Sequence, residues 1–172
     1  APSTDGGSAV TGYRIDWTSS ISVGVISGVI YTPTISTSHN LMGLTNGVSY
    51  SITVAAVNPE GIGAAATAVH GTPYSSPDQP SGLSGVLMDG GLLVLSWSPP
   101  GFNGGAAVMG YRIERRVVGA DTRAVVADDT GSSFTTYNVL GLTLGTAYDF
   151  QISAINAAGM GPLSSSWSTT IP

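Results

Sequence analysis

The sequence predicts an all-β chain folded as two antiparallel β-sandwiches in tandem, one over residues 1–73 and one over residues 74–172. Three observations predict it. The chain repeats itself without gaps at a constant offset of 98, so that Gly12-Tyr13-Arg14-Ile15 meets Gly110-Tyr111-Arg112-Ile113 and Leu44-Thr45 meets Leu142-Thr143. Short segments alternate apolar and polar residues, as Tyr148, Phe150, Ile152 and Ala154 do, which is the period of a half-buried strand. Between these segments lie glycine, asparagine and proline turns. The turn glycines Gly47, Gly61 and Gly63 recur as Gly145, Gly159 and Gly161, while surface positions drift. One fold carries two surfaces.

The second copy is complete. A Pro/Ser stretch, Pro73 to Pro80, reads as a linker whose three prolines stiffen it and limit bending. A first strand is expected near Ser81 to Met88, followed by the turn Asp89-Gly90-Gly91. Leu93, Leu95 and Trp97 mark the inward face of the next strand, and Pro99-Pro100 stops it, because proline cannot donate to a ladder. After the Asn103-Gly104-Gly105 loop, Tyr111, Ile113 and Val117 share one face of a third strand. Segments near Thr122 to Ala127 and Ser133 to Val139 read as the fourth and fifth. The Tyr148 strand is sixth and Ser164 to Ile171 seventh. Seven short strands with turns between them imply an antiparallel sandwich.

The order Leu93-x-Leu95-x-Trp97-x-Pro99-Pro100, Gly110-Tyr111-x-Ile113, Leu142…Tyr148 and Asn156-x-x-Gly159-x-Gly161 resembles a fibronectin type III module. Leu142, six residues before Tyr148, resembles the tyrosine corner of immunoglobulin-like sandwiches, in which the tyrosine hydroxyl bonds to backbone upstream. The resemblance covers Pro80 to Pro172, and the first copy covers most of the rest. It implies two packed sheets, Greek-key connections and no active site. Such modules serve as spacers or binding units in adhesins, bacterial polysaccharide-degrading enzymes and phage virion proteins.

The first copy departs from the pattern. The offset places Ala1-Pro2 on Pro99-Pro100, so the sequence holds no counterpart of Pro73 to Ser98. Two strands and the core tryptophan go with it, and module one begins at its third strand. Its inner face, with Tyr13, Ile15, Trp17, Ile52 and Val54, then lacks three large apolar partners, each contributing roughly 1.5–3 kcal/mol of burial. An unpaired edge beside such a face invites pairing. Completion from outside the segment is expected: by an upstream part of the same protein, or by strands of a neighbouring subunit. A third route is folding of the apolar stretch Ile21-Val23-Val25-Ile26-Val29-Ile30 back over the gap.

Composition narrows the function classes. Charged residues make up only 9% of the chain, with Ser, Thr, Gly and Ala in their place. Lysine is absent, and the five basic residues are Arg14, Arg112, Arg115, Arg116 and Arg123. At net charge −5 with no basic run, a nucleic-acid partner is not expected. The absence of cysteine excludes disulfides, thiol catalysis and cysteine metal sites. The longest apolar run, Ile21 to Tyr31, falls short of a membrane span and is interrupted by Gly24 and Gly28. No leader pattern is visible and the first residue is not methionine, so a processed or excised piece is expected.

No residue is singled out as catalytic, cofactor-binding or metal-binding. His39 and His70, 31 residues apart, lack ligand spacing and read as surface histidines. Asp128-Asp129 before Thr130-Gly131 invites comparison with a calcium loop, but a hard cation needs more oxygen ligands at defined spacing, so a solvated turn is the reading. No Gly-x-Ser-x-Gly elbow and no phosphate-cradling glycine loop occur. Trp17, at the parity of Tyr13 and Ile15, reads as core. Trp167, Tyr31, Tyr74 and Phe102 are the rings expected to be exposed, too scattered for a carbohydrate platform, although carbohydrate stays a possible partner. Arg115 takes the place of Trp17 and is expected to snorkel from the strand end or to meet a carboxylate. Glycosylation sequons and an Arg-Gly-Asp tripeptide are absent, which argues against an animal matrix protein.

The expectation is therefore a non-catalytic structural or adhesive segment of a larger bacterial extracellular or phage virion protein. It would act as spacer and scaffold, with no cofactor, at a cell or virion surface or in the extracellular space. The alternative is an accessory region of a secreted polysaccharide-degrading enzyme. Partners are expected to be proteins, touching sandwich faces or edges, including neighbouring subunits and adjacent modules.

Overall fold

The computed structural model describes residues 1–19 and 24–172. They form two compact units, Ala1–Pro73 and Tyr74–Pro172. Unit 1 holds β1 (Gly12–Ser19), β2 (Ser27–Thr32), β3 (Tyr50–Asn58), β4 (Gly61–Ala65) and β5 (Val69–Gly71). Unit 2 holds β6 (Ser81–Met88), β7 (Leu92–Ser98), β8 (Gly110–Val117), β9 (Ala124–Ala127), β10 (Thr136–Val139), β11 (Ala147–Asn156), β12 (Gly159–Met160) and β13 (Trp167–Thr170). A 3-10 turn at Asp89–Gly91 joins β6 to β7, and the described residues contain no α-helix.

Unit 2 is an antiparallel sandwich. One sheet has the order β10-β7-β6; the other runs β12-β11-β8-β9, with β13 also pairing β11. Alternation decides which side chains meet between them. Leu93 and Leu95 from β7 face Tyr111 and Ile113 from β8 and Phe150, Ile152 and Ala154 from β11, with Trp97 and Val139 completing one buried cluster. The last strand is broken: β12 leaves the β11 hairpin, and β13 rejoins β11 further along. The fifth strand is shorter than its sequence pattern, since Phe134 points into solvent and pairing with β7 begins at Thr136.

Unit 1 supplies one sheet, in the order β2-β1-β3-β4, with β5 also pairing β3. The described part of the stretch named as a third route of completion, Val25 to Ile30, does not fold back over the inner face. β2 instead lengthens the sheet beside β1, pairing Thr18 with Ser27 through Tyr13 with Thr32, and Val25, Ile26 and Val29 are exposed. Ile21 and Val23 lie outside the described residues. Ser38–Leu41, the counterpart of β10, forms no strand. In unit 2 that strand exists by pairing with β7, and among the described residues of unit 1 no strand pairs with Ser38–Leu41.

The offset of 98 carries individual hydrogen bonds from one unit to the other. Thr32 Oγ1 accepts from the Tyr13 amide at 3.0 Å, and Thr130 Oγ1 accepts from the Tyr111 amide at 3.0 Å. Both tyrosine corners are present: the Tyr50 hydroxyl accepts from the Thr45 amide at 2.9 Å, and the Tyr148 hydroxyl from the Thr143 amide at 3.2 Å. The Thr143 hydrogen bonds hold the Tyr148 phenol below its ordinary pKa. Each corner pins the turn that feeds the long central strand. Tyr148→Phe should therefore lower the melting temperature of unit 2 by several degrees while leaving its β-signature intact, because it orphans the Thr143 N–H. An unchanged melting curve would show that the bond carries no stability.

Past Pro73, whose carbonyl accepts from the Gly47 amide at 2.8 Å, the stretch read as a linker belongs to unit 2. The Ser75 amide donates to the Gly104 carbonyl at 2.8 Å and the Asp78 amide to the Phe102 carbonyl at 2.9 Å. Pro77 and Pro80 are fully buried. The prolines serve as packing surface, because a residue without an N–H can be buried at a sheet margin with no donor to satisfy.

Candidate functional site

A concave feature lies on the inner face of unit 1, a cavity of about 1000 Å³. Its floor is the odd-numbered face of β1 and the facing residues of β3: Tyr13, Ile15, Ile52, Val54 and Ala56. Its walls come from Ala1–Asp5 on one side and Ser36–Ser38, His39 and Leu41 on another. These irregular segments lean over the sheet enough to bury Tyr13 and Ile15, but Val54 remains 36% exposed where its counterpart Ile152 is fully covered. Apolar side chains dominate the floor, and the polar groups around it are mostly hydroxyls and backbone. Such a surface is suited to binding by burial of apolar side chains.

Trp17 is half-buried at the end of that face. Its ring lies over Gly28, where any Cβ would collide with it, and meets the Tyr50 ring edge-on at 5.7 Å. In unit 2 the same position is Arg115, whose guanidinium lies 5.3 Å from the centre of the Tyr148 ring. Of the two expectations, snorkelling or a carboxylate partner, no carboxylate partner is seen for Arg115 among the described residues; a ring face takes its place, which suits a planar cation at a half-wet strand end.

The remaining polar side chains go to structure. All five arginines have an acidic or aromatic partner. Arg14 pairs with Asp16 at 2.6 Å; Arg112 with Glu114 at 2.7 Å and with Asp128 at 2.6 Å. Arg116 and Arg123 converge on Asp149 at 2.9 and 3.1 Å, and Arg115 stacks on Tyr148. Asp129 accepts from the Gly131 amide at 2.9 Å, as a turn-forming aspartate does. Among the described residues no group of three histidine, cysteine or acidic side chains could hold a metal ion. His39 borders the cavity, and His70 is exposed on β5 opposite Ser51.

Of the four candidate sugar-stacking rings, one is packed into the core and three are exposed. Trp167 is half-buried, packed against Phe150 at 6.3 Å and over Gly85, so it is core and not an exposed ring. Tyr31 is exposed on β2 of unit 1, while Tyr74 and Phe102 are exposed in unit 2. Sequence reasoning also missed the Asp149 cluster, in which Ser168 Oγ donates to Asp149 Oδ1 at 3.0 Å beside the two arginines.

A family model described as the fibronectin type III domain matches residues 1–72 and 78–170. The chain belongs to the fibronectin type III family. Human Myomesin-2 is 33% identical over 123 residues, covering 69% of this chain and 8% of that protein. Exoglucanase B of Cellulomonas fimi is 30% identical over 169 residues, covering 91% of this chain and 14% of that protein. The chain thus spans a small fraction of the curated relatives it matches. A solved two-domain fibronectin type III segment from chicken tenascin aligns over 95% of this chain and 86% of its own, with a TM-score of 0.51 at 22% identity, a likeness of fold. The relatives therefore range from human Myomesin-2 to a bacterial exoglucanase. Among the described residues no helix is long and apolar enough to cross a membrane.

Proposed function

We propose that these two fibronectin type III modules form a non-catalytic spacer and presentation segment of a larger bacterial extracellular or phage virion protein. The observation that supports this best is the repeat itself. The same turn glycines, tyrosine corners and hydrogen bonds recur at an offset of 98 beneath surfaces that differ. Repetition of a frame with free variation outside it suits parts that set distance and present faces to protein partners. The hydroxyl-rich, lysine-free composition supports the bacterial or virion setting, and paired arginines leave little for a nucleic acid to hold.

The second reading, accessory modules of a polysaccharide-degrading enzyme, draws on the similarity to an exoglucanase over 91% of the chain. Co-sedimentation with insoluble cellulose, chitin and xylan tests whether the chain itself holds the substrate. The expected result is that it stays in the supernatant at every loading. Saturable retention that disappears with Tyr31→Ala, Tyr74→Ala and Phe102→Ala would replace the spacer reading with a carbohydrate-binding one.

A further inference from the structure

Two of the six asparagines, Asn46 and Asn103, precede a glycine. In that pairing no side chain crowds the following amide nitrogen as it approaches the asparagine side chain. The fold separates the two sites. The Gly47 amide donates to the Pro73 carbonyl at 2.8 Å, and Asn46 is half-buried, so that nitrogen reacts only after the bond has opened. Asn103 is exposed in the loop between β7 and β8, and the Gly104 amide donates to no group among the described residues.

The Asn103 side chain is folded forward over this loop. Its Oδ1 accepts from the Gly105 amide at 2.9 Å, which closes a ring of atoms containing both Cγ and the Gly104 nitrogen. The same N–H polarises the side-chain carbonyl and faces the negative charge that grows on Oδ1 as a nitrogen adds to Cγ.

Unit 1 carries an aspartate in the same loop. The offset of 98 places Asp5-Gly6-Gly7 on Asn103-Gly104-Gly105. Asp5 Oδ1 accepts from the Gly7 amide at 2.9 Å, and the Asp5 carbonyl accepts from Asn58 Nδ2 at 2.9 Å. The Asn103 carbonyl accepts from Asn156 Nδ2 in the same way, at 2.7 Å. The loop closes around either side chain.

We propose that Asn103 is a self-modification site, at which the chain deamidates without an enzyme. The Gly104 nitrogen gives its proton to solvent base and bonds to Asn103 Cγ. The Cγ–Nδ2 bond then breaks, and ammonia leaves. The cyclic imide takes up one water, and each product gains a negative charge. Opening at Cγ gives aspartate on an intact main chain. Opening at the main-chain carbonyl gives isoaspartate, in which the chain runs through Cβ and Cγ and is one carbon longer. Aspartate fits, as Asp5 does. Isoaspartate does not, because Gly104 is buried so closely that a Cβ on it would run into the Ser75 and Ser76 carbonyls. The lengthened chain gives up the bond from the Ser75 amide to the Gly104 carbonyl, 2.8 Å long, and loosens the segment that leads into β6.

The test incubates the full chain at mildly alkaline pH and follows both sites by peptide mass spectrometry, with isoaspartyl methyltransferase labelling to tell the products apart. In the folded chain Asn103 should convert at least about tenfold faster than Asn46, and in urea the two rates should converge. Asn103→Gln should abolish conversion at this position, because the longer side chain has to close a larger ring. The purified isoaspartate form should exchange the Ser75 amide at least about tenfold faster than the starting protein, whereas Asn103→Asp should leave that amide as protected as before. Equal rates at Asn46 and Asn103 in the folded chain overturn the site, as does an Asn103 that stays intact while Asn46 converts. Unchanged Ser75 exchange in the isoaspartate form overturns the loosening.

Discussion

Trp97→Ala is expected to destabilise unit 2 by roughly 3–5 kcal/mol, the usual cost of removing a large aromatic from a core that cannot collapse around the gap. Trp97 is buried at the end of the apolar row formed by Leu93 and Leu95 and meets the Tyr111 ring edge-on at 5.0 Å. Both sheets press on it: β7 carries the residue, its amide donates to Thr135 at 3.1 Å, and β8 supplies the facing ring. Removing the indole therefore opens a void between layers that the ladders on either side hold apart. Trp17→Ala should cost far less, because that ring is only half-buried. Urea unfolding followed by fluorescence, with each unit's transition fitted separately, measures both. A loss below about 1 kcal/mol for Trp97→Ala would mean that the sandwich core tolerates the hole, contrary to the packing argument.

What could be read from the sequence was local in its cause. Tyr50 and Tyr148 each follow a leucine by six residues with a glycine turn between them. That spacing sufficed to place a hydroxyl against an upstream amide. Leu93, Leu95 and Trp97 announced an inward face because alternation needs no knowledge of the partner strand. The errors arose where the cause was remote. Pro77 and Pro80 have the composition of a spacer, and only the Gly104 and Phe102 carbonyls, more than twenty residues on, reveal that the segment is bound. Trp167 sits in a run of serine and threonine and reads as exposed, but its ring fills the space above Gly85 and beside Phe150. In unit 1 the structure shows an open cavity and no strand at Ser38–Leu41, the counterpart of β10. Alternation cannot tell which loops will lean over an uncovered face, so the partial burial of Tyr13 and Ile15 was not legible.

Asp149 gives the second large effect, and it was invisible for the same reason. It stands at outward parity between Tyr148 and Phe150, where an acid reads as solvated, and its partners lie 19, 26 and 33 residues away along the chain. Folding nevertheless buries its carboxylate among Ser168, Arg116 and Arg123. Desolvation alone would raise its pKa, but the Ser168 and Arg116 hydrogen bonds and the charges of Arg123 and Arg116 outweigh it, and the native value is lowered. Asp149→Asn should cost roughly 1.5–3 kcal/mol, the range for hydrogen bonds to a charged group. That is less than the ~3–5 kcal/mol for breaking a fully buried pair, since Arg116 is 40% exposed and can return to water. The pH dependence follows from the direction of the shift. A carboxylate whose pKa is lower in the native than in the unfolded state contributes its full stability above the unfolded value of about 3.9 and loses it as pH falls through the native value. Unit 2 should therefore weaken as pH drops below about 4, and Asp149→Asn should flatten that limb of the curve. In unit 1 the corresponding residue is Ser51, facing His70, so its unfolding should lack this component. Equal acid sensitivity of wild type and Asp149→Asn would show that the cluster is not what ties unit 2 to its ionised state.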